Sequence, residues 1–390
     1  GVLPIIAMAK ERGFEEIILP IENAKEASII NGVSILGATS FSEIINHLQD
    51  KASIRPTPPL DYHTHISKLR DDDFEMNHIK GQESAKRALM VAASGGHNIL
   101  MHGPPGSGKT LLARALAGIM PPMSQSEAIE VTKIYSIAGL IGDSPIITNR
   151  PFRSPHHSTS SAAIVGGGSH PKPGEITLAH RGVLFLDEFP EFPRSVIEAL
   201  RQPMEQGEVV VSRAASTMTF PARFMLVAAM NPCPCGNFGD ETKACTCGAG
   251  AIAIYQKKLS GPILDRIDIQ INVSREKYDK LASLTNNGPR PEYMRAVIAK
   301  TRELQGKRFI GESIKTNSEM GPKEIQKYCP LSPETDQFMR QVVTAHNMSG
   351  RGFHKILKLA RTIADLDEQS SISLPHLAEA VGYRIQNEAI

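Results

Sequence analysis

The sequence predicts an α/β protein: a parallel-sheet core carrying a phosphate-binding loop, followed by a helical lid region and preceded by a partial α/β segment. Three observations carry this. The runs "HNILMHG", "GVLFLDEF" and "RFMLVAAMN" are short and apolar almost throughout, as strands buried on both faces are. The stretch "GPPGSGKT", Gly103–Thr110, stands between the first of these runs and the helix-forming "TLLARALAG". Beyond residue 273 the strands give way to "PEYMRAVIAKTRELQGKRF", "PETDQFMRQVVTAHN" and "FHKILKLARTIADLDEQ", which read as helices.

In chain order, residues 1–50 alternate. "LPIIAMAKERG" suits a helix ended by Gly13, and "FEEIILP" a strand. "NAKEASII" suits a helix capped by Asn23, "VSILGA" a strand, and "SFSEIINHLQ" a helix capped by Ser40 or Ser42. This piece is too small to be a full domain. Residues 51–74 contain "SIRPTPPLD", whose proline density resists helix and sheet and reads as a linker. Residues 75–273 form the sheet core and 274–390 the helical lid. No internal repeat is visible.

Composition narrows the function classes. With 390 residues, two or three domains are expected at about 100–200 residues each. Lys+Arg total 43 against Asp+Glu 41, a net charge of only +2, so a nucleic-acid partner has to be held by locally placed Arg and Lys. No run approaches the ~18 apolar residues that a membrane span needs. The five cysteines, four of them clustered, do not look like a secreted disulfide framework, and a cytoplasmic location is expected. The opening "GVLPIIAMAK" lacks Met and reads as part of a longer chain; it is too short and wrongly flanked for a signal peptide.

The loop Gly103, Pro104, Pro105, Gly106, Ser107, Gly108, Lys109, Thr110 fills every position of G-x-x-x-x-G-K-[ST] between a strand and a helix. Backbone N–H groups at its glycines can curl around a β-phosphate, and the helix N-terminus adds its positive end. Lys109 would reach β- and γ-oxygens of ATP, and Thr110 would offer its hydroxyl to Mg²⁺. In "GVLFLDEF", Asp187 would hold Mg²⁺ and Glu188 would polarise the attacking water.

"NPCPCG", residues 231–236, raises two expectations. Asn231 ends an apolar strand, where a polar tip can touch the γ-phosphate or its water. Pro232 and Pro234 turn the chain away from helix and present Cys233 and Cys235; Cys245 and Cys247 follow in "CTC". Two C-x-C pairs can close four thiolates around Zn²⁺, although the spacing is tighter than the usual gap of two to four; reduced thiols and disulfides are the alternatives. Cys329 stands alone in a helical stretch and reads as buried structure.

Taken together these phrases, with "KGQESAKRALMVAASGGHN", "RPFRSPHHSTSSAAIVGGGSHPKPGEITLAHRG" and "KLSGPILDRIDI", resemble the AAA+ ATPases of the magnesium-chelatase-like clade over nearly the whole chain. They look most like its bacterial hexameric helicases of DNA branch migration, which serve natural transformation and homologous recombination. The resemblance implies an ATP-dependent homo-hexamer acting on single-stranded and branched double-stranded DNA. It implies that Asn231 is sensor 1, that Arg266 in "LDRID" is an arginine finger for the next subunit's ATP, and that Ile79–Gln82, with Ile79 and Gln82 at its ends, lines the adenine site. Arg351 aligns with the sensor 2 arginine of the related minichromosome maintenance helicases, with Arg361 competing on the same stretch. Two insertions would face the ring's pore. "FRSPHHSTSSAAIVGGGSHPKPG", about 152–174, carries Arg153, His156 and His157; "GEVVVSRAASTMTFPARF" reads as a β-hairpin with Arg213 near its turn. His156 and His157, being adjacent, would point apart on a helix or strand, and no aromatic platform for base stacking is evident. Residues 1–50 are similar to the end of a Lon-type protease domain, but Leu3 falls where its catalytic lysine belongs, so a degenerate, non-proteolytic segment is expected. The alternatives are a magnesium-chelatase ATPase subunit and a protein-remodelling AAA+ ATPase. The Lon-like piece and the clustered cysteines favour the DNA motor.

Overall fold

A strand without polar alternation must be covered on both faces, and parallel neighbours need crossovers long enough to be helices. The computed structural model meets both demands. It describes residues 2–65, 76–142, 145–167, 172–213, 216–240, 242–276 and 289–385. In chain order the strands are β1 (Glu16–Pro20), β2 (Ser34–Ala38), β3 (Ile99–His102), β4 (Phe152–Arg153), β5 (Gly166–Gly167), β6 (Lys172–Pro173), β7 (Val183–Leu186), β8 (Glu208–Arg213), β9 (Ser216–Pro221), β10 (Met225–Met230) and β11 (Ile269–Asn272). The central sheet runs β11-β3-β10-β7-β4, all parallel. The three apolar runs of the sequence are its three middle strands, and every residue of β7 and β10 is buried.

Helix Glu83–Gly95 leads into β3 and ends on Gly96 in the left-handed region; helix Lys109–Ile119 leaves it. The C-terminal helices Pro291–Arg308, Pro322–Tyr328, Pro333–Ala345, Gly350–Leu366 and Leu374–Ile385 do not form a core of their own. Their buried residues, including Met294, Ile298, Ile356, Ile363 and Leu377, join Ile99, Val227 and Ile271 of the sheet in one continuous apolar cluster. Charges tie the same junction. Lys355 of the lid reaches Asp268 beside β11 at 2.8 Å, with both side chains largely buried. Asp268 also accepts from the Asn98 backbone N–H at 3.0 Å. Although burial opposes it, the charge of Lys355, helped by the His97 side chain beside it, leaves the Asp268 carboxyl far below the usual carboxylate range.

The N-terminal segment pairs β1 with β2 in parallel beneath helices Leu3–Glu11 and Ile21–Ala27. Leu3 is fully buried in its apolar core. The proline-rich stretch expected to be a linker is docked over its described part. Thr57 N–H donates to Ile35 O at 2.8 Å, Ile54 is buried, and Ile29 and Tyr62 pack with Met123, Val131 and Ile146. The rest of that stretch, residues 66–74, lies outside the described residues, as do 168–171 of the first insertion and the hairpin turn at 214–215.

The buried Lys355–Asp268 pair generates a stability prediction. Lys355→Met leaves Asp268 buried without its cation and should cost about 3 kcal/mol in urea unfolding at pH 7. Because the folded-state pKa of Asp268 is depressed, its contribution is complete above the unfolded value of about 4 and is lost as pH falls further. The parent's advantage over Lys355→Met should therefore shrink in acid; an equal gap at pH 7 and pH 3 would contradict this account.

Candidate nucleotide and metal site

All five strands of the sheet run the same way, so the loops after β3, β7, β10 and β11 emerge at one edge. Gly103–Thr110 follows β3, with Gly106 and Gly108 at φ +79° and +90°. Lys109 Nζ donates to the carbonyls of Gly103 (2.7 Å) and Pro104 (2.9 Å) and to Asn231 Oδ1 (3.3 Å) at the tip of β10. Burial pushes the ammonium down to about 8, against the pull of Asp187 and Glu188. Thr110 Oγ1 donates to Asp187 Oδ2 at 2.8 Å, which brings hydroxyl and carboxylate together where a Mg²⁺ ion could take both. Glu188 adopts φ +50°, a strained value for a side-chain-bearing residue, and its backbone N–H is held by Asp187 Oδ1 at 2.9 Å. Its carboxylate, half exposed, lies 3.3 Å from His157 Nδ1. Gln82 lies on the same side: its backbone N–H donates to Glu276 Oε1 and its amide to Ser274 O, each at 2.6 Å, just beyond β11. Ile79 packs against the main core.

The four clustered cysteines stand directly beyond Asn231. Their sulfurs lie within 4.8 Å of one another, with Cys233–Cys235 at 3.4 Å, Cys233–Cys245 at 3.7 Å and Cys235–Cys245 at 3.6 Å. Zinc–sulfur bonds of about 2.3 Å in a tetrahedron require sulfur–sulfur edges of about 3.8 Å, so the donor set fits that ion. Backbone N–H groups point at the sulfurs, from Phe238 to Cys233 (3.3 Å) and from Cys247 to Cys245 (3.4 Å). The N–H groups of Asn237 and Thr246 hold the Cys235 thiol down at about 5. Cys329 is buried far along the chain, and burial pushes its thiol up to about 12.

Arg266 lies at the other end of the sheet. Its carbonyl accepts from the side chain of Asn98, the residue before β3, whereas the phosphate loop starts after β3. The four residues of β3 separate the two by about 13 Å. Arg266 pairs neither with Asp265 nor with Asp268; its guanidinium meets Glu205 at 2.6 Å. Arg351, mostly exposed, reaches the same Glu205 at 3.5 Å. Its competitor Arg361 is buried, bound to Asp365 (3.0 Å) and the Ser370 carbonyl (2.8 Å), with no access to a nucleotide.

The two insertions form one platform. Ile164 of the first, with Ile176 just beyond its end, packs with Val209, Val211 and Phe220 of the antiparallel β8–β9 hairpin. Arg213 is the last residue of β8, paired with Ser216 beside the turn. Two expectations here need correction. Arg153 is not a free cation: it makes a bidentate contact with Glu175 at 2.6 and 2.7 Å, on the sheet's edge strand. His156 and His157 do not point apart, because the chain there is neither helix nor strand; their rings lie 4.0 Å from each other, and His157 turns to Glu188. The His157–Glu188 and Arg275–Pro105 contacts were not foreseen, since no local spacing encodes them.

Comparison with known proteins gives the family of the chain. The family profile "Magnesium chelatase, subunit ChlI" matches residues 75–281, and "Magnesium chelatase, subunit ChlI C-terminal" matches 289–384. The chain is 40% identical over 385 residues to competence protein ComM of Haemophilus influenzae, covering 98% of this chain and 74% of that protein. It is 39% identical to the uncharacterized protein YifB of Escherichia coli, with the same coverage. Similarity to the magnesium-chelatase 38 kDa subunit of Rhodobacter capsulatus is 30% over 176 residues, 41% of this chain and 50% of the relative.

The depressed Lys109 pKa generates a pH prediction. Because the ammonium gives up its proton near pH 8, nucleotide binding at higher pH must take one up again. Affinity for a fluorescent ATP analogue should fall by up to about tenfold per pH unit above pH 8. Lys109→Met should lose both the affinity and its pH dependence; a parent affinity flat from pH 7 to pH 9.5 would contradict the assignment.

Proposed function

The chain belongs to the competence protein ComM branch of the magnesium chelatase ChlI-type AAA+ ATPases, and from that membership we propose that it is an ATP-driven, ring-forming DNA motor of the helicase and branch-migration class. The observation that carries the coupling is the His157–Glu188 contact of 3.3 Å. It joins the insertion platform, on which the β8–β9 hairpin stands, to the carboxylate assigned to the attacking water. Strain on that platform then reaches Glu188 through His157 and through the apolar cluster that the neighbouring Phe189 shares with Ile164, Val211 and Phe220.

Each residue has a defined task in this reading. The 103–110 loop and Lys109 hold the triphosphate, Thr110 and Asp187 hold Mg²⁺, Glu188 takes a proton from the water and Asn231 orients it. The ion, when bound, supplies charge neutralisation at the β- and γ-oxygens. Arg266 and Arg351, at the far end of the sheet from their own phosphate loop, serve the nucleotide of a neighbouring subunit in a cyclic hexamer. Six hairpins bearing Arg213 ring the pore and track phosphates of single-stranded or branched DNA, which reconciles DNA binding with a net charge of +2. Cys233, Cys235, Cys245 and Cys247 hold one Zn²⁺, consistent with the reducing cytoplasm. No described helix is long and apolar enough to cross a membrane. A magnesium-chelatase role draws less support, since the likeness to that subunit covers 41% of the chain.

The reading is tested by ATP turnover with and without DNA, together with unwinding of a branched substrate. DNA should stimulate turnover and Glu188→Gln should bind ATP but hydrolyse it at least about a hundredfold more slowly. Absence of any DNA effect on both activities would refute the motor. Arg266→Ala should bind ATP and fail to turn it over. Mixing it with Lys109→Ala should recover part of the rate at mixed interfaces, and no recovery would argue against action in trans. For Arg213→Ala, DNA affinity should fall and its salt dependence become shallower by about one unit of slope. An unchanged slope would remove Arg213 from the phosphate path.

A further inference from the structure

The loop carrying the four cysteines touches the phosphate-binding loop at two points, and neither contact takes part in the chemistry assigned above. The first is Gly236, directly after Cys235, at φ +81°. A Cβ at this position would lie 2.6 Å from Pro105 Cδ, so the cysteine turn is pressed against the Pro105 ring and only glycine fits there. The second is Arg275, three residues beyond β11. Its Nη2 donates to the Pro105 carbonyl at 3.1 Å and its Nη1 to Thr242 Oγ1 at 3.2 Å. Its Nε lies 3.4 Å from Asp240 Oδ2, and the Asp240 side chain is only 3% exposed. Asp240 itself is fixed by accepting from the Thr242 backbone N–H (2.8 Å) and hydroxyl (2.6 Å).

Asp240 and Thr242 lie between Cys235 and Cys245, inside the stretch that the thiolate cluster closes. The segment bearing Arg275 also holds Gln82, through Ser274 O and Glu276 Oε1. One short segment therefore grips the phosphate loop, the Ile79–Gln82 stretch and the cysteine loop. An arginine fork suits this, since its planar donors can serve a carbonyl, a hydroxyl and a carboxylate together.

Resting on the zinc reading above, we infer that Arg275 is a positioning residue that transmits the metal-bound state of the four-cysteine loop to the phosphate-binding loop. With four thiolates on one ion, the two C-x-C pairs are held together, and between them Asp240 presents a fixed negative charge and Thr242 a fixed acceptor to Arg275. The fork in turn holds the Pro105 carbonyl, and with it the curl of the loop that cradles the triphosphate. Loss of the ion releases the loop, Arg275 loses its anchor, and the cradle becomes one of several conformations. Nucleotide affinity then falls by the fraction of time the cradle is formed.

The experiment is a thermodynamic cycle on the purified protein, reading zinc content and affinity for a fluorescent ATP analogue, with and without chelator. The parent should carry about one zinc per chain and lose about tenfold in affinity when it is stripped. Arg275→Ala should keep its zinc, bind nucleotide about tenfold more weakly, and change by less than about twofold on stripping. Asp240→Asn, a milder change that leaves all four thiols, should behave as Arg275→Ala does. Parent-like affinity in Arg275→Ala, or an equal cost of stripping in parent and variant, overturns the coupling while leaving the zinc site in place. Parent protein purified without chelator and found free of zinc overturns the metal reading, and the coupling falls with it.

Discussion

The common direction of the five central strands is the constraint on which the rest of this structure depends. A parallel sheet sends every strand's C-terminal end to one edge, so residues from four separated parts of the chain meet there without any of them being adjacent in sequence. Lys109, Asp187, Asn231 and Ser274–Glu276 are brought together in this way. The meeting leaves a lysine ammonium among carbonyls, with its two nearest acids too weak to offset burial. That arrangement is poised for an anion: a triphosphate would restore to the ammonium what desolvation removes.

The same direction sends the strands' N-terminal ends to the opposite edge, and a second set of charges gathers there. Asp268 binds Lys355 of the lid and the Asn98 backbone, while Arg266 and Arg351 converge on Glu205. The lid has no separate core, since its apolar residues belong to the cluster that covers β3, β10 and β11. A change of angle between lid and sheet would therefore have to repack shared side chains. The middle of the sheet thus links the edge that carries Lys109, Asp187 and Asn231 to the edge that carries Asp268, Arg266 and Glu205 through tightly packed side chains.

Around the nucleotide edge lie two further bodies. The insertion platform meets Glu188 through His157, and the cysteine loop meets Pro105 through Arg275 and the Gly236 turn. The insertion platform also shares a buried apolar cluster with the sheet, in which Ile164, Val211 and Phe220 join Leu186, Phe189 and Met230, so movement of the platform bears on the residues flanking Glu188 and Asn231.

The fold class, the phosphate loop, the acid pair and the cysteine cluster were legible in the sequence. Each depends on residues a few positions apart, whose geometry follows from local chain conformation: the apolar Ile99, Leu100 and Met101 shortly before Gly103, adjacent Asp187 and Glu188, two C-x-C pairs. The fate of individual charged side chains was not legible, because it depends on partners that folding brings from far away. Arg153 meets Glu175 across a sheet edge, Arg361 is closed within its own helix end, and Arg275 finds Pro105 from 170 residues away. The proline-rich stretch shows the same division: its composition excludes helix, but only its packing on Ile35 and Met123 makes it part of the body. Sequence determined what each segment could be, through covalent spacing and hydrophobic pattern. Tertiary structure decided which charges would be neutralised and which left facing the site, because electrostatic pairing is set by distance in space and not along the chain.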